Sequence, residues 1–306
     1  MDDSPIQTAL CVIGHPIGGN PTQFVALRAL SALGLDWQFI SFDVDPTQIK
    51  SAIGGIDSLG FCGAMIATPY QNQVANLLSI GRGEDAETAE TADWYDCLHR
   101  NADHRLVATN VLAAALQSVI QSHVESAGQS PDCCLLIGDE ARILTEVPPF
   151  LPVLPERRQV VNASRLVPWF GLIPPLVFEP TPVASTLLEE PARAGDDIEL
   201  APALVIWSVD GKPGKKNAVK AAPHAPDRSF VADLLTRLHP ASLLVDLSGT
   251  SSAWLVSRAE AGESTVAVVD KVELEVMRLA IAIQHWTGRA PDIDLMREAI
   301  EEYLEI

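Results

Sequence analysis

Short apolar runs alternate with amphipathic stretches along most of this chain. Leu10 to Ile13 is an apolar run ended by Gly14, which predicts a strand and a turn. From Thr22 to Leu33, Phe24, Leu27, Leu30 and Leu33 recur at helical spacing, and Gly34 supplies a stop. Trp37 to Val44 reads as a second strand. Asp45-Pro46 then opens a helix to about Ile53, with Asp as cap and Pro in the first turn. Phe61 to Ala67 predicts a third strand and Gln71 to Leu78 another helix. Leu106 to Ala108 is strand-like, and Asn110 to about Val124 is a long apolar helix. Strand, helix and strand in repetition are the grammar of an α/β domain with mostly parallel strands.

The second half repeats that grammar. Cys133 to Ile137, Gln159 to Asn162, Ala203 to Trp207, Leu243 to Leu247 and Val266 to Val269 are apolar runs, each read as a buried parallel strand. Phe230 to Leu238 and Ala253 to Ala261 are helical segments between them. A long helix covers Lys271 to Trp286 and closes at Thr287-Gly288, and an amphipathic helix follows from Asp292 to about Leu304. Pro148, Pro149, Pro152 and Pro155 break any helix in their stretch. Glu125 to Pro131 reads as the connection between two domains. The expected fold is therefore α/β in two domains: residues 1–110 with the returning helices 271–306, and a Rossmann-like doubly wound parallel sheet over 130–270.

Length agrees with two cores, since 306 residues exceed what one core usually covers. A net charge of −19 repels phosphate backbones and anionic lipid surfaces, so nucleic-acid and membrane partners are not expected. Lys212, Lys215, Lys216 and Lys220 form the clearest basic cluster, read as a solvated loop. The five cysteines show no metal-ligand spacing and the histidines are scattered, so no metal is expected. Reduced thiols, the absence of a signal-like start and the lack of a long apolar run point to a cytoplasmic protein. No G-x-S-x-G elbow supports a hydrolase.

The candidate chemistry gathers at Gly60-Phe61-Cys62-Gly63-Ala64-Met65-Ile66-Ala67-Thr68-Pro69-Tyr70-Gln71. This segment resembles the strand and turn of shikimate dehydrogenases, G-F-x-G-x-N-V-T-I-P-H-K. Three more segments resemble that family in the same order: Val12 to Gly18, Arg105 to Asn110, and Trp286-Thr287-Gly288. The resemblance implies a substrate-binding α/β domain, a Rossmann-like NADP domain with the active site between the two, and a C-terminal helix returning to the first domain.

It also assigns positions. The family's catalytic lysine falls on Gln71, and its catalytic aspartate on Leu112. An amide exchanges no proton near neutral pH and an alkyl chain has none to give, so neither serves as a general acid or base. His15 and Asp96 are the titratable alternates. The ordinary reading of His15 is a loop-end hydrogen bonder, and that of Asp96 a capping carboxylate. The substrate-binding candidates are Asn20, Thr68, Tyr70, Asn110 and Arg278; the family's threonine itself falls on Ala67, with Thr68 adjacent. Arg278 stands where the family has a substrate-contacting Gln, and a guanidinium holds a carboxylate through two parallel bonds. Its ordinary alternative is a helix-surface arginine. For the cofactor, the Gly-rich turn falls on Gly138, followed by Asp139 and Glu140, and the 2′-phosphate clamp on Asn162 and Ser164, with Arg165 displaced. Two carboxylates beside a pyrophosphate repel it by about 4 kcal/mol per close pair at an effective dielectric of 20. Trp207 aligns near the nicotinamide.

Three readings follow. The first is a shikimate-dehydrogenase-like protein without NADP-dependent turnover that binds a small organic acid. The second is an active shikimate (quinate-type) 5-dehydrogenase with replaced catalytic groups, moving hydride between shikimate and 3-dehydroshikimate. The third is a non-catalytic partner subunit of a shikimate-pathway enzyme. A homodimer is compatible with each.

Overall fold

The computed structural model describes residues 7–67, 70–74, 77, 94–131, 133–138, 157–162, 202–208, 238–247 and 266–305, with the backbone alone for 137–138, 157–162 and 207–208. They form two compact units, one of residues 1–115 with 272–306 and one of 116–271.

The first unit is a five-stranded sheet ordered β2-β1-β3-β4-β5. Its strands are β1 (Ala9–Gly14), β2 (Gln38–Asp43), β3 (Gly63–Ile66), β4 (Cys97–Arg100) and β5 (Leu106–Thr109). β1 pairs in parallel with β2 and β3, whereas β4 runs antiparallel to both β3 and β5. The expected β1, β2, β3 and β5 are present; β4 is an addition that periodicity did not reveal.

Alternation along the strands sorts the core into two layers. Leu10, Val12, Met65 and Cys97 join one cluster with Val25, Leu30, Val276, Ile283, Trp286, Met296 and Ile300. Cys11, Ile13, Ala64, Ile66 and Leu98 face the other way, against Ile49, Ile53, Ile56, Tyr70 and Val74. The first layer is therefore covered by α1 (Thr22–Ala32), α4 (Lys271–Thr287) and α5 (Ile293–Leu304), and the second by α2 (Ile49–Ser58) and the helical turn at 71–74. Helix α3 (Val111–Ala127) follows β5.

The helix ends follow local chemistry. Gly34 after α1 and Gly288 after α4 sit at φ +71° and +68°, where L-residues are strained. The Asp45 side chain accepts from Thr47 N–H at 2.9 Å and caps the 3-10 turn Pro46–Gln48 that leads into α2. α2 then runs to Ser58, beyond the expected end near Ile53, because Ile56 continues the buried stripe. Asp292 caps α5 through Asp294 N–H and Leu295 N–H. Trp286 closes the first layer: its Nε1 donates to Leu98 O at 2.8 Å, over Gly63, where a Cβ would overlap the indole and that same carbonyl.

The second unit is an all-parallel sheet ordered β10-β9-β8-β6-β7, made of β6 (Cys133–Gly138), β7 (Arg157–Asn162), β8 (Ala203–Ser208), β9 (Leu243–Asp246) and β10 (Ala267–Asp270). Consecutive residues such as Leu135 and Leu136, or Leu243, Leu244 and Val245, are all buried, as in a sheet covered on both faces. The order reverses at β6, with β7 on one side and β8 to β10 on the other, which makes it a doubly wound, Rossmann-like sheet. Among the described residues no helix is long and apolar enough to cross a membrane.

Candidate functional site

In the first unit the order also reverses at β1, between β2 and β3. Ligands of open α/β sheets bind beyond the carboxyl ends of the strands at such a reversal. Of the sequence candidates in this unit, His15, Gln71, Asp96 and Asn110 lie just beyond or before strand ends, and Leu112 and Arg278 lie on α3 and α4.

Gln71 begins the helical turn after β3. It is 5% exposed, and its Nε2 donates to Ile66 O at 3.2 Å. The amide at the lysine position is thus a buried structural group that satisfies the last carbonyl of β3. Tyr70 is fully buried, and its hydroxyl donates to Val44 O. This is packing with a satisfied polar tip. Thr68, Ser164 and Arg165 lie outside the described residues, as do Asp139, Glu140 and the lysine cluster from Lys212 to Lys220.

Asn20 spends its side-chain oxygen on Thr22 N–H at 2.9 Å, fixing the turn into α1. Asn110 does the same for Ala113 N–H at 2.9 Å at the start of α3. Leu112 lies in the first turn of that helix, half-buried. His15, at the end of β1, is exposed and its Nδ1 lies 2.9 Å from Asp43 Oδ1 at the end of β2. Asp43 was not anticipated. Its signal is a carboxylate at the carboxyl end of a parallel strand next to the one that ends in His15.

Asp96 and Arg278, far apart in sequence, meet. Asp96 is fully buried just before β4, and its Oδ1 accepts from Val111 N–H at 2.7 Å. It is a capping carboxylate, but for a helix reached through the fold rather than along the chain. Its Oδ2 lies 2.8 Å from Arg278 Nε. That contact is ionic rather than a linear hydrogen bond, since neither atom has a hydrogen-bond partner. Arg278 Nη1 donates to both oxygens of Glu275, at 3.1 and 2.8 Å, one helical turn earlier on α4. With its side chain only 11% exposed, Arg278 is not the helix-surface arginine of the ordinary reading.

Burial pushes the Asp96 carboxyl up to about 6; Arg278 and the Val111 N–H pull it back without prevailing. Burial alone would lower Arg278, but Glu275 and Asp96 outweigh it and hold the guanidinium protonated. At neutral pH the cluster thus carries two carboxylates and one cation.

In the second unit, Gly138, Asn162 and Ser208 are in register at the carboxyl ends of β6, β7 and β8. This is the reversal point of that sheet, where a dinucleotide's pyrophosphate would lie. Two cofactor candidates, Gly138 and Asn162, are thereby brought side by side. Trp207 lies on β8, one residue short of this end, with only its backbone described.

No family model matches the chain. Curated relatives do. It is 23% identical over 300 residues, 96% of this chain and 95% of the relative, to a shikimate dehydrogenase (NADP(+)) of Methanothermobacter thermautotrophicus. It is 24% identical to that of Synechocystis, over 97% of this chain and 96% of the relative. Among solved structures, a shikimate 5-dehydrogenase-like protein superposes with a TM-score of 0.65 at 16% identity, covering 100% of both chains. The shikimate 5-dehydrogenase of Thermus thermophilus, in complex with NADP(H) and shikimate, gives 0.57 at 18% identity over 97% of this chain and 100% of that one.

Proposed function

We propose that this chain, similar over nearly its whole length to shikimate dehydrogenases, keeps that family's architecture without the proton transfer of shikimate oxidation, and that it binds a small organic acid. The carrying observation is Gln71. Oxidising an alcohol requires a base for the hydroxyl proton while hydride leaves for the nicotinamide. At the lysine position stands a buried amide already bonded to Ile66 O, and at the aspartate position the alkyl chain of Leu112. Neither moves a proton. NADP, where it binds in this family, supplies the hydride acceptor. Gly138 and Asn162 stand at the carboxyl ends of neighbouring strands, and the sequence continues from Gly138 with Asp139 and Glu140, two carboxylates that oppose a pyrophosphate bound next to them. Support for the acid comes from Arg278, a guanidinium at the family's substrate-contacting Gln position.

One observation favours a second reading, a dehydrogenase with relocated acid/base chemistry. Asp43 beside His15 Nδ1 at 2.9 Å favours the tautomer protonated there and leaves Nε2 as a base. The test is NADP⁺ reduction with shikimate for the wild type, Gln71→Leu and His15→Gln. No reduction by any of them is the expected result. Turnover lost in Gln71→Leu overturns the proposal, and turnover lost only in His15→Gln establishes the second reading.

A further inference from the structure

Resting on the acid-binding reading above, we infer that Glu275 is an internal ligand of Arg278, which an incoming carboxylate must displace. The two acidic partners of Arg278 are unequal. Asp96 is fully buried, anchored by Val111 N–H, and holds the Nε edge. Moving it would strand a charge in the core. Glu275 holds only Nη1, its side chain is 35% exposed, and it stands one turn away on the same helix. Glu275 is thus the partner that a rotamer change can turn toward water, provided that an incoming carboxylate takes over the buried Nη1.

Charge balance explains why the exchange suits this chain. A net charge of −19 opposes any free anion. A ligand carboxylate that replaces the Glu275 carboxylate leaves the cluster with the same one cation and two anions. Nη1 then regains the acceptors it lost, and the planar fork of the guanidinium selects a carboxylate over a neutral amide of the same shape. Glu275 is tethered and so competes at high effective concentration. Simple acids therefore bind weakly to the wild type, and the natural ligand is a small acid with further polar groups to offset that competition.

The test is calorimetric titration of the full chain with sodium malonate at pH 7.5 and low ionic strength, with malonamide as the neutral control. Wild type, Glu275→Gln, Glu275→Ala and Arg278→Gln are compared, each checked for folding by circular dichroism. Both Glu275 variants are expected to bind malonate about tenfold tighter than the wild type, equivalent to about 1.4 kcal/mol. Arg278→Gln should bind it at least tenfold more weakly than the wild type, and malonamide should bind none of them. Two Glu275 variants are used so that misfolding of one does not decide the outcome. Malonate binding that is equal in the wild type and both Glu275 variants overturns the inference while leaving an acid site standing. Binding that survives in Arg278→Gln overturns it as well. If no folded protein binds malonate, both the displacement and the acid-binding reading fall, whereas the loss of dehydrogenase turnover is decided separately by the NADP⁺ assay.

Discussion

Replacing Arg278 by Leu separates the ion pair from its burial. Leu keeps apolar bulk on α4 but removes the cation 2.8 Å from Asp96 Oδ2. With charge centres about 4 Å apart and an effective dielectric of 20, the lost attraction is about 4 kcal/mol. That lies within the range of roughly 3–5 kcal/mol for breaking one side of a buried pair. Glu275 loses the same partner but is partly solvated, so its share is small. Asp96 can respond by keeping its proton, and this makes the penalty depend on pH. Its folded-state value is about 6, above the ordinary 3.8, so stability from the protonated form is complete below about 3.8 and is lost as pH rises through 6. Without Arg278 the folded value climbs further. The variant should therefore be about 3 kcal/mol less stable than the wild type at pH 7.5, where the wild type holds Asp96 ionised against its cation, and about 1 kcal/mol less stable at pH 5, where both proteins hold it neutral. Urea unfolding at the two pH values measures this. Protection of the Val111 amide against hydrogen exchange localises it, since that N–H donates to Asp96 Oδ1. A loss that is equal at both pH values, or larger at pH 5, would refute the reasoning.

Gly63→Ala should cost roughly 3 kcal/mol or more by urea unfolding, because its Cβ has to displace Trp286 or the backbone of β4; an unchanged midpoint would mean that Trp286 moves freely. Tyr70→Phe removes the hydroxyl bond to Val44 O and should cost about 1 kcal/mol, checked by the same melts. Asp45→Ala should destabilise the entry to α2. Its hydrogen bonds from the Thr47 hydroxyl and amide hold the Asp45 carboxyl below its ordinary value, so its stabilisation is present above about 3.8 and fades as pH falls below it. The gap between wild type and Asp45→Ala should accordingly narrow in acid, and a gap that widens there would contradict the capping assignment.

Much of the fold was legible in local pattern. Leu10 to Ile13 as an apolar run ended by Gly14, Phe24 to Leu33 at helical spacing with Gly34 behind it, and Asp45-Pro46 as a helix opening each carry their own physical cause, and each appears where expected. Strand β4 was not legible. Cys97-Leu98-His99-Arg100 puts only two apolar residues in four, and it becomes a strand by pairing on both sides with β3 and β5. The site divides along the same line. Gln71 and Leu112 can be read from a turn motif and a helix start. The capping role of Asp96 was readable as a type but not as a partner, because Val111 reaches it through the fold. Arg278 meeting Asp96 is a tertiary fact with no local signature. Glu275 had one, the i,i+3 spacing to Arg278 on a helix, but spacing alone does not say that the pair shares a buried third member.

The central claim is that Gln71 ends proton transfer in this shikimate-dehydrogenase-like chain. A single-turnover experiment tests it most directly: purified protein in excess over NADP⁺, with saturating shikimate, followed for NADPH. The protein concentration is set above the dissociation constant for NADP⁺, measured separately by titration, so that most of the cofactor is bound and weak affinity does not mask slow chemistry. The expected result is no NADPH above the protein-free rate. NADPH formed at a rate proportional to protein, and abolished by Gln71→Leu, would contradict the claim.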